Sequence, residues 1–394
     1  MKKQTVRDID VQGKRVLLRS ALNVPMKDGV VTDAFRIEAS LPTMEYLLEH
    51  GAALIIMSHH SKEGTSLAPV AAVLEEKLGR PVRFQAEVLS DAARAAAAAL
   101  TPGDVMLLEN LRFHPEEEAN DPGFAKALAA LGDIYVDDDF TTMHRDHASI
   151  TGIAKYLPAV AGLLVEKEVD YITGALEHPN RPLIALLGGA KVSTKLPIFE
   201  NLIPKVDTVM LTGPVANTFA LAEGHPIGLS IAEPEMADEV KRLLEIAKRE
   251  DTELLLPVDV VVSKSLEEPK DVRTIKWADI QPDDYIVDAA PSYAEMLKTA
   301  IYDYLDFDGK ATVLWNGPLG LTEIAEFAAG SKAMAEAIIA TKAISIVGGG
   351  DTAGFVDSLG LHDKFTWVST GGGASLELMG GQELPGVAVL LDKA

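Results

Sequence analysis

Short apolar runs recur along the chain, separated by longer stretches of helical periodicity, and that alternation predicts a parallel sheet whose strands are joined by crossover helices. In the first part the runs are Arg15 to Leu18, Ala53 to Met57, Val105 to Leu108 and Ile134 to Val136. Helical patterns fill the gaps at Leu41 to Glu49, Val70 to Leu78 and Asp91 to Leu100. The second part repeats the rhythm, with strands expected at Leu183 to Leu187, Thr208 to Leu211, Leu254 to Leu256, Thr312 to Leu314, Ile344 to Val347 and Trp367 to Ser369. Gly, Pro or Asn follows each of these closely. Between the two sets, Ala161 to Glu177 is apolar-periodic and free of proline, the pattern of a connecting helix. The fold class read from this is α/β, with two lobes, each a mostly parallel doubly wound sheet flanked by helices, joined by a hinge helix.

Composition supports a packed chain: of 394 residues, 47% are hydrophobic and 24% charged, which is too apolar for disorder. The apolar runs fall far short of the roughly 20 residues a membrane span needs. No apolar stretch follows Lys2 and Lys3, so no secretory signal is read and the cytoplasm is the expected location. The absence of cysteine excludes disulfides, thiolate metal sites and cysteine nucleophiles. A net charge of −23 argues against a nucleic-acid partner. Anionic small molecules stay open, provided cations gather in one cleft.

They do gather. In open α/β sheets ligands bind beyond the carboxyl ends of the strands. The first-part strand ends deliver Arg19 and Asn23, then His59 and Lys62, then Asn110 and Arg112, then His144 and Arg145. Arg36 follows Thr32 and Asp33, which suit helix caps, so it is placed near a helix N-terminus. Any one of these would be read as a surface ion pair. Together, in an acidic chain, they predict a site for a phosphorylated anion, which arginine can grip with its planar fork. His144 and His147 at i and i+3 lack a third metal ligand and are read as hydrogen-bonded or solvated.

The second-part strand ends are glycine-rich: LLGGAKV, LTGPVAN, LWNGPLG, IVGGGDTAG and VSTGGGASLELM. Glycine lets backbone N–H groups close on phosphate oxygens, and a following helix N-terminus adds a favourable dipole. A Walker A sequence is absent, and Gly348 to Ala353 lacks the acid that a dinucleotide fingerprint needs. Lys191 and Lys195 stand four apart, on one face if a helix has begun. Asp351 is readable either as a Mg²⁺ ligand or as the N-cap of the next helix.

Over nearly its whole length the chain resembles the phosphoglycerate kinase family. The stretches that carry this are LLENLRFHPEEEANDP from Leu107, LLGGAKVSTK from Leu186, LPVDVVV from Leu256, WNGP from Trp315, SIVGGGD from Ser345 and STGGGASLE from Ser369. The resemblance implies a 3-phosphoglycerate-binding lobe over 1–165, to which a tail from about 375 to 394 returns. It implies a connecting helix over 166–180 and a Mg-nucleotide lobe over 181–374. Substrate roles fall on Asn23, Arg36, His59, Lys62, Arg112 and Arg145. Nucleotide roles fall on Lys191, Lys195, Asn316, Glu323, Gly349, Gly350, Asp351 and Thr352, with Asp351 at the metal. Arg36, Lys191 and the amides near Gly371, Gly372 and Gly373 would stabilise the phosphoryl group in flight. The implied partners are 3-phosphoglycerate, 1,3-bisphosphoglycerate and ATP or ADP with Mg²⁺, and the expected state is a monomer whose lobes close over the reactants.

The chain also departs from the family pattern. RSALNVP stands for RVDFNVP, placing Ala21 where an acid is usual, and Lys62 stands where an arginine is usual. DDDFTTMHR replaces NDAFGTAHR, which brings in Asp137 and Asp139. Thr212 to Pro214, Ala289 to Tyr293 and Pro197 differ too. Each lost hydrogen bond to a charged ligand costs about 1.5–3 kcal/mol, so a weakened acid-substrate site is expected beside intact nucleotide machinery. The competing expectation is a catalytically impaired nucleotide-binding protein on the same scaffold.

Overall fold

Runs such as ALIIM and LIALL are apolar at every position, and only a strand covered on both faces can bury all of it. Both are buried throughout. The computed structural model describes residues 1–304 and 309–393. The chain divides into two compact units, Met1–Asp170 with Glu383–Ala394, and Tyr171–Gln382.

The first unit carries a six-stranded sheet. Its spatial order is Val82–Gln85, Val105–Leu108, Ala53–Met57, Arg15–Ser20, Ile134–Asp138, Ala159–Ala161. Every pairing in it is parallel. Val16, Leu18, Leu54, Ile56, Leu107 and Val136 build its core with Met44, Leu47, Val70 and Leu74 from two covering helices. The winding reverses between Arg15–Ser20 and Ile134–Asp138, neighbours in space whose onward connections run opposite ways. That reversal opens a crevice at Ser20 to Asn23 and at the loop after Asp138.

Two elements differ from the sequence expectation. The helix expected to begin at Leu41 runs Phe35–Glu49, straight through Pro42. Packing of Ile37, Met44, Leu47 and Leu48 holds it despite the missing N–H. Its N-terminus has no side-chain cap of the ordinary kind: Asp33 Oδ1 accepts from Phe35 N, and the Thr32 hydroxyl donates to Pro25 O. The connecting helix starts at Leu163 instead of Ala161, because Ala159–Ala161 pairs as the edge strand. Asp138 caps that helix: its Oδ1 accepts from Leu164 N at 2.9 Å, and Thr43 Oγ1 accepts from Leu163 N. A Cβ on Gly162 would lie 2.0 Å from Asp138 Oδ1, so glycine is required there.

The second unit repeats the plan in the order Glu253–Leu255, Thr208–Leu211, Leu183–Leu187, Thr312–Asn316, Ile344–Gly348, Trp367–Val368, all parallel. Trp315, Tyr293, Leu297, Met334, Ile338 and Val347 fill its core. Beside it stands a three-stranded antiparallel sheet of Arg273–Lys276, Asp259–Ser263 and Tyr285–Ala289, which the sequence reading did not separate. Reversal of winding here falls between Leu183–Leu187 and Thr312–Asn316. At their ends Gly188 N donates to Asn316 O at 2.7 Å, and a Cβ on Gly317 would lie 2.5 Å from the Gly188 carbonyl carbon. Only paired glycines allow that approach. No helix among the described residues is long and apolar enough to cross a membrane.

Two outcomes follow from this packing. Burial raises the Asp138 carboxyl to about 8, so the folded chain holds a proton that the unfolded chain releases near pH 4. Stability from this group is therefore full in acid and falls by about 1.4 kcal/mol per unit as pH climbs toward 8. Asp138→Asn, which keeps the capping oxygen, should flatten that slope in urea unfolding measured across pH. Gly189 has φ +129° and a Cβ there would sit 2.6 Å from Lys195 Cε, so Gly189→Ala should cost about 1–3 kcal/mol. Exposed Gly354, inside the helix Gly350–Ser358 with open space at its Cβ position, should gain up to about 1 kcal/mol on the same change.

Candidate active site

The crevice of the first unit is lined from four strand ends. Asn23 is the hub of its outer part. Its Nδ2 donates to Ser61 Oγ at 2.9 Å, its Oδ1 accepts from Ser61 N, and its backbone oxygen accepts from Arg36 Nη1 at 2.8 Å. Arg36 thus stands half-buried in the first turn of Phe35–Glu49 with most of its fork uncommitted. Lys62 is exposed in the loop beyond, where its backbone N–H donates to His60 Nδ1.

Arg112 and Arg145 share one electrostatic field with His59. Burial and the nearby Arg19, Arg112 and Arg145 charges hold the His59 ring well below its usual range. Burial likewise lowers Arg112, with Arg145 and Arg19 adding to the effect and Glu118, 3.2 Å away, opposing it. His147 is depressed to about 4 by burial and then by Arg145. His144 is lowered in the same way, so the histidine pair is a neutral lining. Cations placed this way suit an anionic ligand.

Arg19 corrects the sequence reading. It was counted among the ligand-facing cations, yet it is 1% exposed and paired with Asp139 Oδ2 at 2.7 Å. Nε donates to Ser149 Oγ, which itself donates to Glu117. The cause is Asp139: a carboxylate buried at the end of the neighbouring strand captures the nearest guanidinium. Asp139 is pushed up by burial but held below its usual range by Arg19. Asp137, also buried, is raised to about 7 and takes a hydrogen bond from Tyr135 Oη. Ala21 is buried at 1% exposure and offers no group to a ligand.

In the second unit the turns after Leu187, Leu211 and Asn316 border one cavity of about 270 Å³. Gly189, Gly213, Pro214, Leu319, Glu323 and Asp351 contribute to its wall. A buried lysine packs against its wall at Gly189. Lys195 is buried, its Nζ donates to Asn316 Oδ1 at 2.5 Å, and burial lowers it to about 8, with Asp351 opposing. Asn316 Nδ2 is buried without a partner and packs against Gly349, whose φ is +91°. The helix Gly350–Ser358 begins there, and Thr352 Oγ1 accepts from Gly317 N at 2.8 Å, tying that helix to the glycine pair. Gly371 N donates to Ser369 Oγ, and Gly372 with φ +49° starts the short helix Gly373–Met379.

Two expectations are revised here. Lys191 and Lys195 do not share a helix face, because residues Ser193–Lys195 form a 3₁₀ turn and the α-helix Leu196–Leu202, with Pro197 in its first turn, begins after them. Lys191 is exposed and Lys195 buried. Asp351 is not the N-cap: Gly349 is, and Asp351 lies exposed in the first turn. Among the described residues no group of three or more His, Asp or Glu could hold a metal. One exposed carboxylate beside a lysine suits a hard cation that brings its other ligands as phosphate oxygens and water.

The sequence reading missed Asp138 and Asp139 as structural acids and Asp288 in the cavity wall. Asp288 Oδ2 accepts from Gly330 N, and burial raises it to about 8. A charged triplet inside an apolar strand, as at Asp137 to Asp139, was the one available signal.

Comparisons with known proteins agree with this geometry. A family model described as phosphoglycerate kinase matches residues 6–382. The phosphoglycerate kinases of Roseiflexus sp. (strain RS-1) and Moorella thermoacetica are 46% and 45% identical, with all of this chain and all of each relative covered. Among solved structures, the phosphoglycerate kinase of Coxiella burnetii matches with a TM-score of 0.87 at 38% identity, covering 98% of both chains. That of Pyrococcus horikoshii OT3 matches with a TM-score of 0.84 at 32% identity over the same shares. Glycine-paired strand ends, a buried lysine at one cavity and arginines at the other crevice are thus those of a known lineage, and the chain belongs to the phosphoglycerate kinase family.

Proposed function

We propose that this chain transfers a phosphoryl group reversibly between ATP and the carboxylate of 3-phosphoglycerate, the glycolytic reaction, as a monomer in the cytoplasm. The observation that carries the reading is the separation of two anion sites by chemistry. Arg36, Arg112 and Arg145 stand around His59 and Asn23 in one unit, while glycine turns line a cavity in the other, with Lys195 packed against Gly189 of its wall. The first set suits the phosphate and carboxylate of the acid, with Lys62 adding charge from its exposed loop. In the second, the cavity takes the nucleoside, Glu323 at its rim meets the ribose, and Gly349, Gly350 and Thr352 present the helix start to phosphate.

A carboxylate is already ionised, so in-line attack needs little acid–base help, and catalysis reduces to positioning and charge neutralisation. Arg36 and Lys191 neutralise the equatorial oxygens, with Gly372 and Gly373 amides assisting. Asp351 would hold Mg²⁺ together with nucleotide phosphate oxygens, and the ion would supply positive charge against the phosphates. Lys195, kept in line by Asn316, steers the nucleotide phosphates.

Turnover is reduced at the acid site in this reading, since Arg19 is withdrawn and Lys62 lacks a bidentate fork. A coupled assay with ATP, Mg²⁺ and 3-phosphoglycerate should show turnover; none above background, with ADP still bound, would leave only a nucleotide-binding scaffold. Lys62→Arg, at an exposed position, should raise kcat/KM for 3-phosphoglycerate by about tenfold, on the scale of one charged hydrogen bond. An unchanged kcat/KM would remove Lys62 as the cause.

A further inference from the structure

Arg19 is the penultimate residue of the strand Arg15–Ser20 in the first sheet, and three of its contacts are with side chains. Nη1 reaches Asp139 at 2.7 Å, Nε reaches Ser149 Oγ at 3.0 Å, and Nη2 lies 3.0 Å from His59 Nδ1. A guanidinium has five N–H donors, no acceptor and no accessible deprotonated form. The direction of the third contact is therefore settled: Nη2 donates and His59 Nδ1 accepts. A ring whose Nδ1 accepts must carry its one proton on Nε2.

The surroundings keep the ring in that state. Asp139 Oδ2 lies 3.7 Å from Nδ1, a distance at which a carboxylate alone would favour the imidazolium. Arg19 stands against both and takes that carboxylate for itself. Arg112, from the turn Leu111–Phe113, and Arg145, after the turn Phe140–Thr142, add two more cations facing the ring. Glu117 and Asp137 lie near Arg19 and help to offset its charge. Burial acts in the same direction as the arginines.

We propose that Arg19 and Asp139 are positioning residues that lock His59 in the neutral Nε2–H tautomer, so that the ring gives an anionic substrate one fixed donor and no titrating charge. Ionised phosphate and carboxylate oxygens accept, so a fixed Nε2–H matches them without a change in the ring's own protonation. Charge recognition is then left to arginines, which do not titrate. Asp139 makes the arrangement affordable by neutralising a guanidinium that is 1% exposed. The family pattern has alanine at this position, so the lock in this form belongs to this chain. Only its kinetic consequence rests on the substrate reading above.

Long-range ¹H–¹⁵N spectra of the imidazoles in the full-length protein, with His59 assigned through His59→Gln, test the lock without any substrate. The expected spectrum is the Nε2–H pattern, unchanged from about pH 5 to about pH 8, where a free histidine would titrate. The double variant Arg19→Met with Asp139→Ala removes donor and counter-charge together, leaving neither buried alone. In it nothing donates to Nδ1, so the ring, still neutral under burial, Arg112 and Arg145, should show a mixture of Nδ1–H and Nε2–H patterns, and kcat/KM for 3-phosphoglycerate should fall about twofold or more as the Nε2–H fraction shrinks, while ADP affinity holds. An Nδ1–H pattern or a titration in the unaltered chain overturns the proposal, and so does a folded double variant whose His59 keeps the pure Nε2–H pattern. Should the double variant fail to fold, the tautomer of the unaltered chain decides alone. A mixed tautomer pattern in the double variant with unchanged kcat/KM would sustain the lock and sink the substrate role of His59.

Discussion

A parallel sheet covered on both faces leaves polar chemistry one place to go: the carboxyl ends of its strands, at the point where the winding reverses. Each unit obeys this constraint with its own materials. In the first, the reversal between Arg15–Ser20 and Ile134–Asp138 brings Arg19 and Asp139 together below a crevice ringed by Arg36, Arg112 and Arg145. In the second, the reversal between Leu183–Leu187 and Thr312–Asn316 brings two glycines into backbone contact and sets Lys195 against Asn316.

The three successive aspartates show how much local partners decide. Asp137 meets a tyrosine hydroxyl and rises to about 7. Asp138 meets a helix N-terminus but no cation, and burial carries it to about 8. Asp139 meets a guanidinium and falls. Residue type and burial are the same in all three, and the partner alone separates a structural acid from a buried ion. The same logic explains why a chain of net charge −23 can hold an anion site: the buried acids near it are protonated or paired, while Arg36, Arg112 and Arg145 are left to face a ligand.

Much of this was legible in the chain itself. Apolar runs placed ten strands of the two parallel sheets, because strands buried on both faces leave an unbroken signature. The antiparallel sheet escaped because Arg273–Lys276 is half exposed and has no such run. Helix Phe35–Glu49 was shortened because Pro42 reads as a start, whereas packing on its far side overrides the lost hydrogen bond. Candidate ligands were found where strands end, but sequence could not say which would be spent internally. Arg19 was spent on Asp139, 120 residues away, a contact that only the sheet order creates. Lys191 and Lys195 looked like neighbours on a helix and are instead one exposed and one buried group on either side of a 3₁₀ turn.

The central claim is that the two anion sites are separate and chemically distinct. Hydrogen–deuterium exchange with each ligand added alone tests it most directly. The account predicts that 3-phosphoglycerate slows exchange around residues 20–23, 58–62, 110–113 and 139–147, and that ADP with Mg²⁺ slows it around 188–195, 316–323 and 349–353. Protection of the second set by 3-phosphoglycerate, with the first set unchanged, would contradict it.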